Sequence, residues 1–351
     1  MRIALCGYYG KNNFGDDMMA NLLSEKISQN KHIIKLYSDC SNGTLDYQKS
    51  SFLDSDVVVI GGGGIIDNKF WALNEVNLPK LKESGKPIVF LNVNIYNESL
   101  NNSQFISNLS DLNAKWWVRD KFSFESLKKL NFDVKYLPDI LFSSKVENKN
   151  KINKKLLNIF LNYYAFKPAF DNENVASWIE MQSKCKELAS YLDWLTTFGW
   201  NIQLVPCQCS QEIDDRIISA YIYGLCKNKS KISWISKPTN WRNILKIVSD
   251  SDLIISQRYH SSVAAMLYGV RFVDITHHAK NIELIKDASI AASGVDLKNL
   301  NKNNLINATR YAEFNSNYKN NIINYRTNAM KLWKEFEIEW DNFTKDLENK
   351  I

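Results

Sequence analysis

The chain has 351 residues, 45% apolar and 23% charged, which is ample for two globular domains and typical of a folded, water-soluble protein. The formal net charge is +6, from Lys+Arg 44 against Asp+Glu 38. That excess is too small to mark a nucleic-acid binder, and it suits an acidic substrate or the anionic inner face of a membrane. No run approaches the roughly 18 apolar residues of a membrane span. The amino terminus enters a strand without a basic lead or cleavage site, so a cytoplasmic protein with no signal peptide is expected. The six cysteines (Cys6, Cys40, Cys185, Cys207, Cys209, Cys226) show no pairing pattern. Cys6 reads as a buried thiol in a reducing compartment, and Cys207-x-Cys209 lacks the second ligand pair of a zinc site, so no metal is expected.

In chain order, Arg2 to Gly7 reads as a buried strand, and a Gly/Asn-rich turn follows at Gly7 to Asp17. The turn opens a helix that runs to about Gln29, with Asp16 and Asp17 in its first turn, where carboxylates suit the dipole. Further strands are expected at His32–Ser38, at Asp56–Ile60 ending in the turn Gly61–Gly64, and at Lys86–Val93, Lys115–Val118 and Asp133–Leu137. The stretch Lys121–Leu130 is helical between the last two. Lys145–Lys155, K-V-E-N-K-N-K-I-N-K-K, is polar and charged and marks a domain boundary.

The pattern then restarts. Strands are predicted at Leu156–Tyr163, Asn201–Val205, Lys231–Ile235, Asp252–Ser256 and Arg271–Thr276. The helices between them are predicted at Val175–Phe198, Gln211–Leu225, Trp241–Val248 and Ser261–Tyr268. Strands alternating with helices at this spacing predict an α/β protein of two Rossmann-like domains facing across a cleft, GT-B-like. The domains are residues 1–145 and 156–300. Residues 301–351 form C-terminal helices that can cross back to the first domain. Tyr311, Phe314, Tyr318, Ile322, Tyr325, Leu332, Phe336 and Trp340 recur there at helical spacing and read as a packing face.

Chemistry concentrates at strand ends, where ligands bind in open α/β sheets. After Asp252–Ser256 come Gln257, Arg258, Tyr259 and His260, and four residues after Thr276 comes Lys280. Arg258 and Lys280 supply fixed positive charge and His260 a titratable imidazole, beside a helix start that already favours anions. Their convergence suggests a ligand with more than one negative group. The structural alternative for the same residues is an Arg258 paired with a buried Asp and a His260 satisfied at a helix start.

Eight of the 13 glycines fall within the first 64 residues, seven of them in clusters at two strand ends. Neither cluster is a dinucleotide fingerprint and no P-loop is present, so backbone N–H groups at Gly62 and Gly63 are the expected anion contacts. Asp17 and Asp67 lie on loops at the same sheet edge and are candidate general bases for a sugar hydroxyl, with Asp16 read as a cap. Arg119–Asp120 also ends a strand, and Arg119 joins the anion-binding candidates. Trp71, Trp116, Trp117 and Trp241 could stack on sugar rings, although core packing is the commoner role of tryptophan.

Taken in order, G-Y-Y-G-K-N-N-F-G-D-D at Gly7–Asp17, V-V-I-G-G-G-G-I-I-D at Val58–Asp67, V-R-D-K-F-S at Val118–Ser123, Pro138–Asp139, and S-Q-R-Y-H-S at Ser256–Ser261 with Lys280 downstream resemble the polysaccharide pyruvyl transferase family. The resemblance implies a GT-B-like enzyme that takes phosphoenolpyruvate, attaches pyruvate as a ketal to two sugar hydroxyls and releases phosphate. It places Arg258 and His260 in the family's R-x-H positions, associated with the donor and catalysis, and Lys280 in a downstream lysine position. Ser261 closes the same motif and joins the donor-binding set. His260 is then the candidate acid that protonates the donor's methylene carbon, and no cofactor is implied beyond phosphoenolpyruvate as co-substrate. The chain departs from the family pattern at Val270–Arg271, at His277–His278 and at Gly15–Asp16–Asp17. The acceptor is a sugar or lipid-linked saccharide and not nucleic acid; peripheral membrane association and oligomerisation are left open. Two other readings stand beside this one, a GT-B glycosyltransferase using a nucleotide sugar and a non-catalytic sugar- or nucleotide-binding module.

Overall fold

The computed structural model describes residues 1–28, 32–38, 52–146, 155–170, 174–210, 213–237 and 240–349; Cys40 and most of the expected linker at Lys145–Lys155 lie outside them. The chain divides into two compact units. The first comprises Met1–Lys11, Asp16–Lys145 and Thr327–Ile351, and the second Asn12–Gly15 and Val146–Arg326.

The first unit is built on six strands: β1 (Arg2–Cys6), β2 (Ile33–Tyr37), β3 (Val57–Ile66), β4 (Ile88–Ile95), β5 (Lys115–Val118) and β6 (Val134–Tyr136). They form one parallel sheet in the order β2-β1-β3-β4-β5-β6. β4 is buried at every position, as expected of a central parallel strand covered on both faces. The second unit repeats the plan with β7 (Leu156–Phe160), β8 (Asn201–Leu204), β9 (Ile232–Trp234), β10 (Leu253–Ser256), β11 (Arg271–Thr276) and β12 (Gly294–Asp296). Its order is β12-β11-β10-β7-β8-β9, again all parallel. The chain winds outward from β7 to β9 and then returns to the other side of β7 at β10. The carboxyl ends of β7 and β10 therefore flank the point where strand order reverses, the usual ligand position in such sheets.

The tetraglycine departs from the expected turn, because β3 runs through it to Ile66. Gly62 and Gly63 adopt φ of +74° and +104°, and the pairing with β4 shifts register between Gly63 and Ile66. Positive φ here makes a bulge inside the strand rather than an end to it. A side chain at Gly62 would meet Met19 at 3.2 Å, so the bulge also seats the Phe14–Ile27 helix.

The Lys302–Phe314 and Ser316–Glu348 helices close the chain. On the second, Tyr318, Ile322, Ala329, Trp333, Phe336 and Trp340 are buried. The expected face is corrected in two places: Trp333 replaces Leu332 on it, and Phe314 is 76% exposed. Within the first unit, Trp333 Nε1 donates to the carbonyls of Pro138 and Asp139 at 2.8 and 3.1 Å, and Phe336 packs edge-on against Trp117. Trp71, Trp116 and Trp117 are core residues; Trp241 is half-buried under the Arg242 guanidinium. Cys6, Cys185, Cys207, Cys209 and Cys226 are unpaired thiols. Among the described residues no helix is long and apolar enough to cross a membrane, and no group of His, Cys, Asp or Glu has the arrangement to hold a metal ion.

Candidate functional site

In the second unit, β10 hands over to the Tyr259–Tyr268 helix two residues earlier than the sequence suggests, which makes Arg258 the N-cap and puts His260 in the first turn. Gly269, at φ +63°, ends the helix in a left-handed C-cap. β11 leads in the same way into the Ala279–Asp287 helix, with His278 as N-cap and Lys280 in its first turn. Neither cap residue makes a side-chain bond to its helix, whereas the Val175–Thr197, Asp215–Leu225, Trp241–Asp250 and Lys302–Phe314 helices of the same unit are each capped by Asn or Asp. Two neighbouring helix starts thus have cationic residue types at the cap and in the first turn, and a cap side chain that does not bond the helix. That arrangement raises the potential an anion would feel.

The Arg258 guanidinium is not an open cation. Its Nε and Nη2 grip Asp215, which is fully buried, and Nη1 donates to Gln208 Oε1 at 3.1 Å. Asp215 also accepts from the backbone N–H groups of Tyr163, Cys207 and Gln208 at 2.9, 3.1 and 2.9 Å. One carboxylate therefore ties together the loops after β7, β8 and β10. The expectation of Arg258 as a freely offered charge is corrected accordingly, since its charge is balanced by Asp215 and its first task is to fix the turn that carries His260.

His260 is 8% exposed and packs edge-on against Phe14 and Tyr259, with ring centroids 6.4 and 5.2 Å away. A Cβ added at Gly15 would lie 1.8 Å from His260 Nδ1, so only glycine fits beneath this imidazole. Gly15 is held there by a bridge between Asn13 and Gln208, by Phe14 N–H to the Cys207 carbonyl at 2.8 Å and by Cys209 N–H to the Asn12 carbonyl at 3.2 Å. Segments from near the chain's start and from β10 thus converge on the same ring.

Lys280 Nζ stands 5.7 Å from the Tyr259 ring centroid, which brings Lys280 to the same corner. Next to it, His277 Nε2 lies 3.2 Å from Asn162 Nδ2. Asn162 Oδ1 accepts from Tyr164 N–H, so the amide nitrogen faces the ring and His277 Nε2 is the acceptor. Burial, followed by the positive charges of His278, Lys280 and Arg258, pushes His277 down to about 4, so it is neutral at physiological pH. Ser261 is corrected: it is fully buried, and its hydroxyl bonds Ser256 Oγ and the Arg258 carbonyl, both at 2.6 Å, which makes it part of the turn and not a ligand contact.

The remaining candidates lie in the first unit. Arg119 is 2% exposed, with Nε and Nη2 on Asn94 Oδ1 at 3.0 and 2.7 Å and Nη1 3.4 Å from the buried Asp139. It belongs to a buried polar knot within the first unit. Asp120 caps the Lys121–Lys129 helix through Ser123. Asp17 Oδ1 accepts the Gly10 N–H at 2.8 Å, and Asp67 Oδ1 accepts those of Lys69 and Phe70 at 2.7 and 2.9 Å. Both carboxylates pin loops of the first unit through backbone amides. Gly62 and Gly63 are buried in β3 against Met19 rather than offered as bare amides. Asp16 stands near Gly63, and with Asp120 it is among the charges acting on Tyr96, whose phenol is pushed up chiefly by burial.

Among solved structures, UDP-GlcNAc 2-epimerase from Neisseria meningitidis bound to UDP-GlcNAc is similar with a TM-score of 0.61 and 12% identity, over 98% of this chain and 100% of that one. The UDP-GlcNAc 2-epimerase of Methanocaldococcus jannaschii in complex with UDP-GlcNAc and UDP gives 0.58 and 10% over 93% and 99%. A ugt transferase from Siraitia grosvenorii in complex with UDP gives 0.58 and 9% over 99% of both chains. At these identities the likeness is one of fold, the GT-B-like pair of parallel-sheet units. No curated protein sequence matches significantly. The family profile described as polysaccharide pyruvyl transferase matches residues 13–279, a span that begins with the segment under His260 and ends beside Lys280, and the chain belongs to that family.

Proposed function

We propose that the protein transfers pyruvate from phosphoenolpyruvate to a sugar diol of a cell-surface polysaccharide or its precursor, forming a pyruvate ketal and releasing phosphate. The observation that carries this reading is the pair of neighbouring helix starts after β10 and β11, with His260, His278 and Lys280 on them and Arg258, itself held by Asp215, fixing the first turn. A donor with one phosphate and one carboxylate offers an anionic group to each helix start. The neutral His277 beside them lies in a field that an arriving anion would relieve.

In the proposed reaction, His260 gives a proton to the donor's methylene carbon, which becomes the methyl group, and cationic character develops at the neighbouring carbon. The first sugar hydroxyl bonds to that carbon. The C–O bond to phosphate then breaks, and the second hydroxyl closes the ring. Of the two hydroxyl protons, one replaces the proton given by His260 and the other leaves on the phosphate, so the balance closes without a redox step. We place the acceptor, free or lipid-linked, with the first unit, and the reaction in the cytoplasm, where unpaired thiols such as Cys6 persist.

The test is incubation with phosphoenolpyruvate and a panel of oligosaccharides bearing free diols, following phosphate release and the methyl singlet of a pyruvate ketal by NMR. Phosphate release that depends on the acceptor, together with the singlet, is expected. The two similar epimerase structures are bound to UDP-GlcNAc, so a UDP-sugar is the control donor. Turnover of the UDP-sugar with none of phosphoenolpyruvate overturns the reading in favour of glycosyl transfer.

A further inference from the structure

Behind the two helix starts lies a carboxylate that the reaction above does not use. Asp274 sits in β11, opposite Ser256 of β10 on one side and Gly294 of β12 on the other, and is completely buried. Ser262 Oγ donates to its Oδ2 at 2.5 Å, and Asn281 Nδ2 lies 3.1 and 2.9 Å from its two oxygens. Both partners are completely buried as well. Ser262 N–H bonds the Arg258 carbonyl, and Asn281 N–H bonds the His278 carbonyl, at 3.3 and 3.0 Å. The two side chains on Asp274 thus belong to the residues that close the first turns of the two helices on their cap residues.

Resting on the donor site proposed above, we infer that Asp274 is a positioning residue, clasping Ser262 and Asn281 so that the helix starts carrying Arg258–His260 and His278–Lys280 hold one fixed spacing for a doubly anionic ligand. A buried carboxylate without a cation is costly, and an apolar residue would pack the same space without that cost. Its presence is understandable where position matters more than stability. Burial pushes Asp274 up to about 6, against the Ser262 and Asn281 bonds that pull it down. The titratable group facing it from the Ser316–Glu348 helix is the Tyr318 phenol, which bonds the Phe272 backbone and on which Asp274 acts. β10 and β12 present Ser256 and Gly294, which do not titrate.

The experiment compares the full-length protein with its Ser262→Ala, Asn281→Ala and Asp274→Asn variants, each checked for folding by circular dichroism and thermal melting. Hydrogen–deuterium exchange is read at peptides covering 257–263 and 277–282, and phosphoenolpyruvate binding by calorimetry. The two alanine variants are expected to speed exchange at both stretches together, and to weaken binding about tenfold with little change in the rest of the exchange map. Asp274→Asn is expected to rescue: with the Asn281 amide turned over, the new carboxamide accepts from Ser262 and donates to Asn281 Oδ1, a buried atom without a partner in the native arrangement. Folded alanine variants with wild-type exchange, or with faster exchange but wild-type affinity, overturn the inference. Wild-type protein that binds no phosphoenolpyruvate overturns the donor reading instead. In that case exchange, and binding of inorganic phosphate as the probe anion, decide the clasp.

Discussion

Two strand-to-helix turns, one in each unit, begin alike and are finished differently. After β5 the chain reads Arg119–Asp120, and after β10 it reads Arg258–Tyr259–His260. Each arginine is paired with a buried acid, Asp139 in the first unit and Asp215 in the second. Asp120 caps the helix that follows Arg119, whereas the helix after Arg258 has no capping side chain and carries His260 in its first turn. The contrast teaches that the arginine does not by itself make a binding turn. What separates the two is whether the cap residue's own side chain bonds the helix and what stands in the first turn.

The sharpest break of the comparison is His260→Ala. With donor binding kept, turnover is expected to fall by about two to four orders of magnitude; an active variant removes His260 as the acid. Next is Gly15→Ala, whose Cβ must push the imidazole aside, with an expected loss of about a hundredfold in kcat and little change in melting temperature. Removing either arginine tests the pairing. Arg119→Ala and Arg258→Ala each strand a buried carboxylate, at a cost of about 3–5 kcal/mol in denaturant unfolding, and only the second is expected to weaken phosphoenolpyruvate binding in the folded fraction.

Asp274→Asn sharpens the comparison through pH. The folded protein holds this carboxyl up at about 6 against an ordinary 3.8, so the native state binds the proton more tightly than the unfolded chain. Ionisation therefore costs stability, a penalty absent below about pH 4, growing as pH rises through 6 and worth about 3 kcal/mol above that. The variant is expected to be more stable than the parent at pH 8, with the difference vanishing near pH 4 in urea titrations. Smallest of all, Asp120→Ala removes one cap, for about 1 kcal/mol of stability and no change in donor affinity.

Much of this contrast was legible in the sequence. The β-branched runs gave the strands, and the alternation with helices gave the fold class, because buried parallel strands advertise themselves as continuous apolar stretches. The R-x-H turn and Lys280 also stood out. Three things did not. Asp215 sits beside Asp214 in a polar stretch, and nothing local says which carboxylate turns inward to meet Tyr163, Cys207 and Arg258 from three other segments. The tetraglycine signals positive φ, which a turn and a strand bulge share. Asp274 looks like a break in an apolar strand until Ser262 and Asn281 are seen on it. Each is decided by partners distant in sequence, which local patterns do not carry.

The four residues Asn12–Gly15 group with the second unit while the chain on either side of them groups with the first, and the Ser316–Glu348 helix changes unit at Thr327. The polypeptide therefore passes from one unit to the other four times, and no single scission yields two complete halves. A fragment ending at Lys145 would lack the closing helix with Trp333 and Trp340, and a fragment beginning after it would lack the glycine on which His260 rests. Dissecting this enzyme by truncation would remove the floor of its proposed proton donor even if every residue of the second sheet were retained.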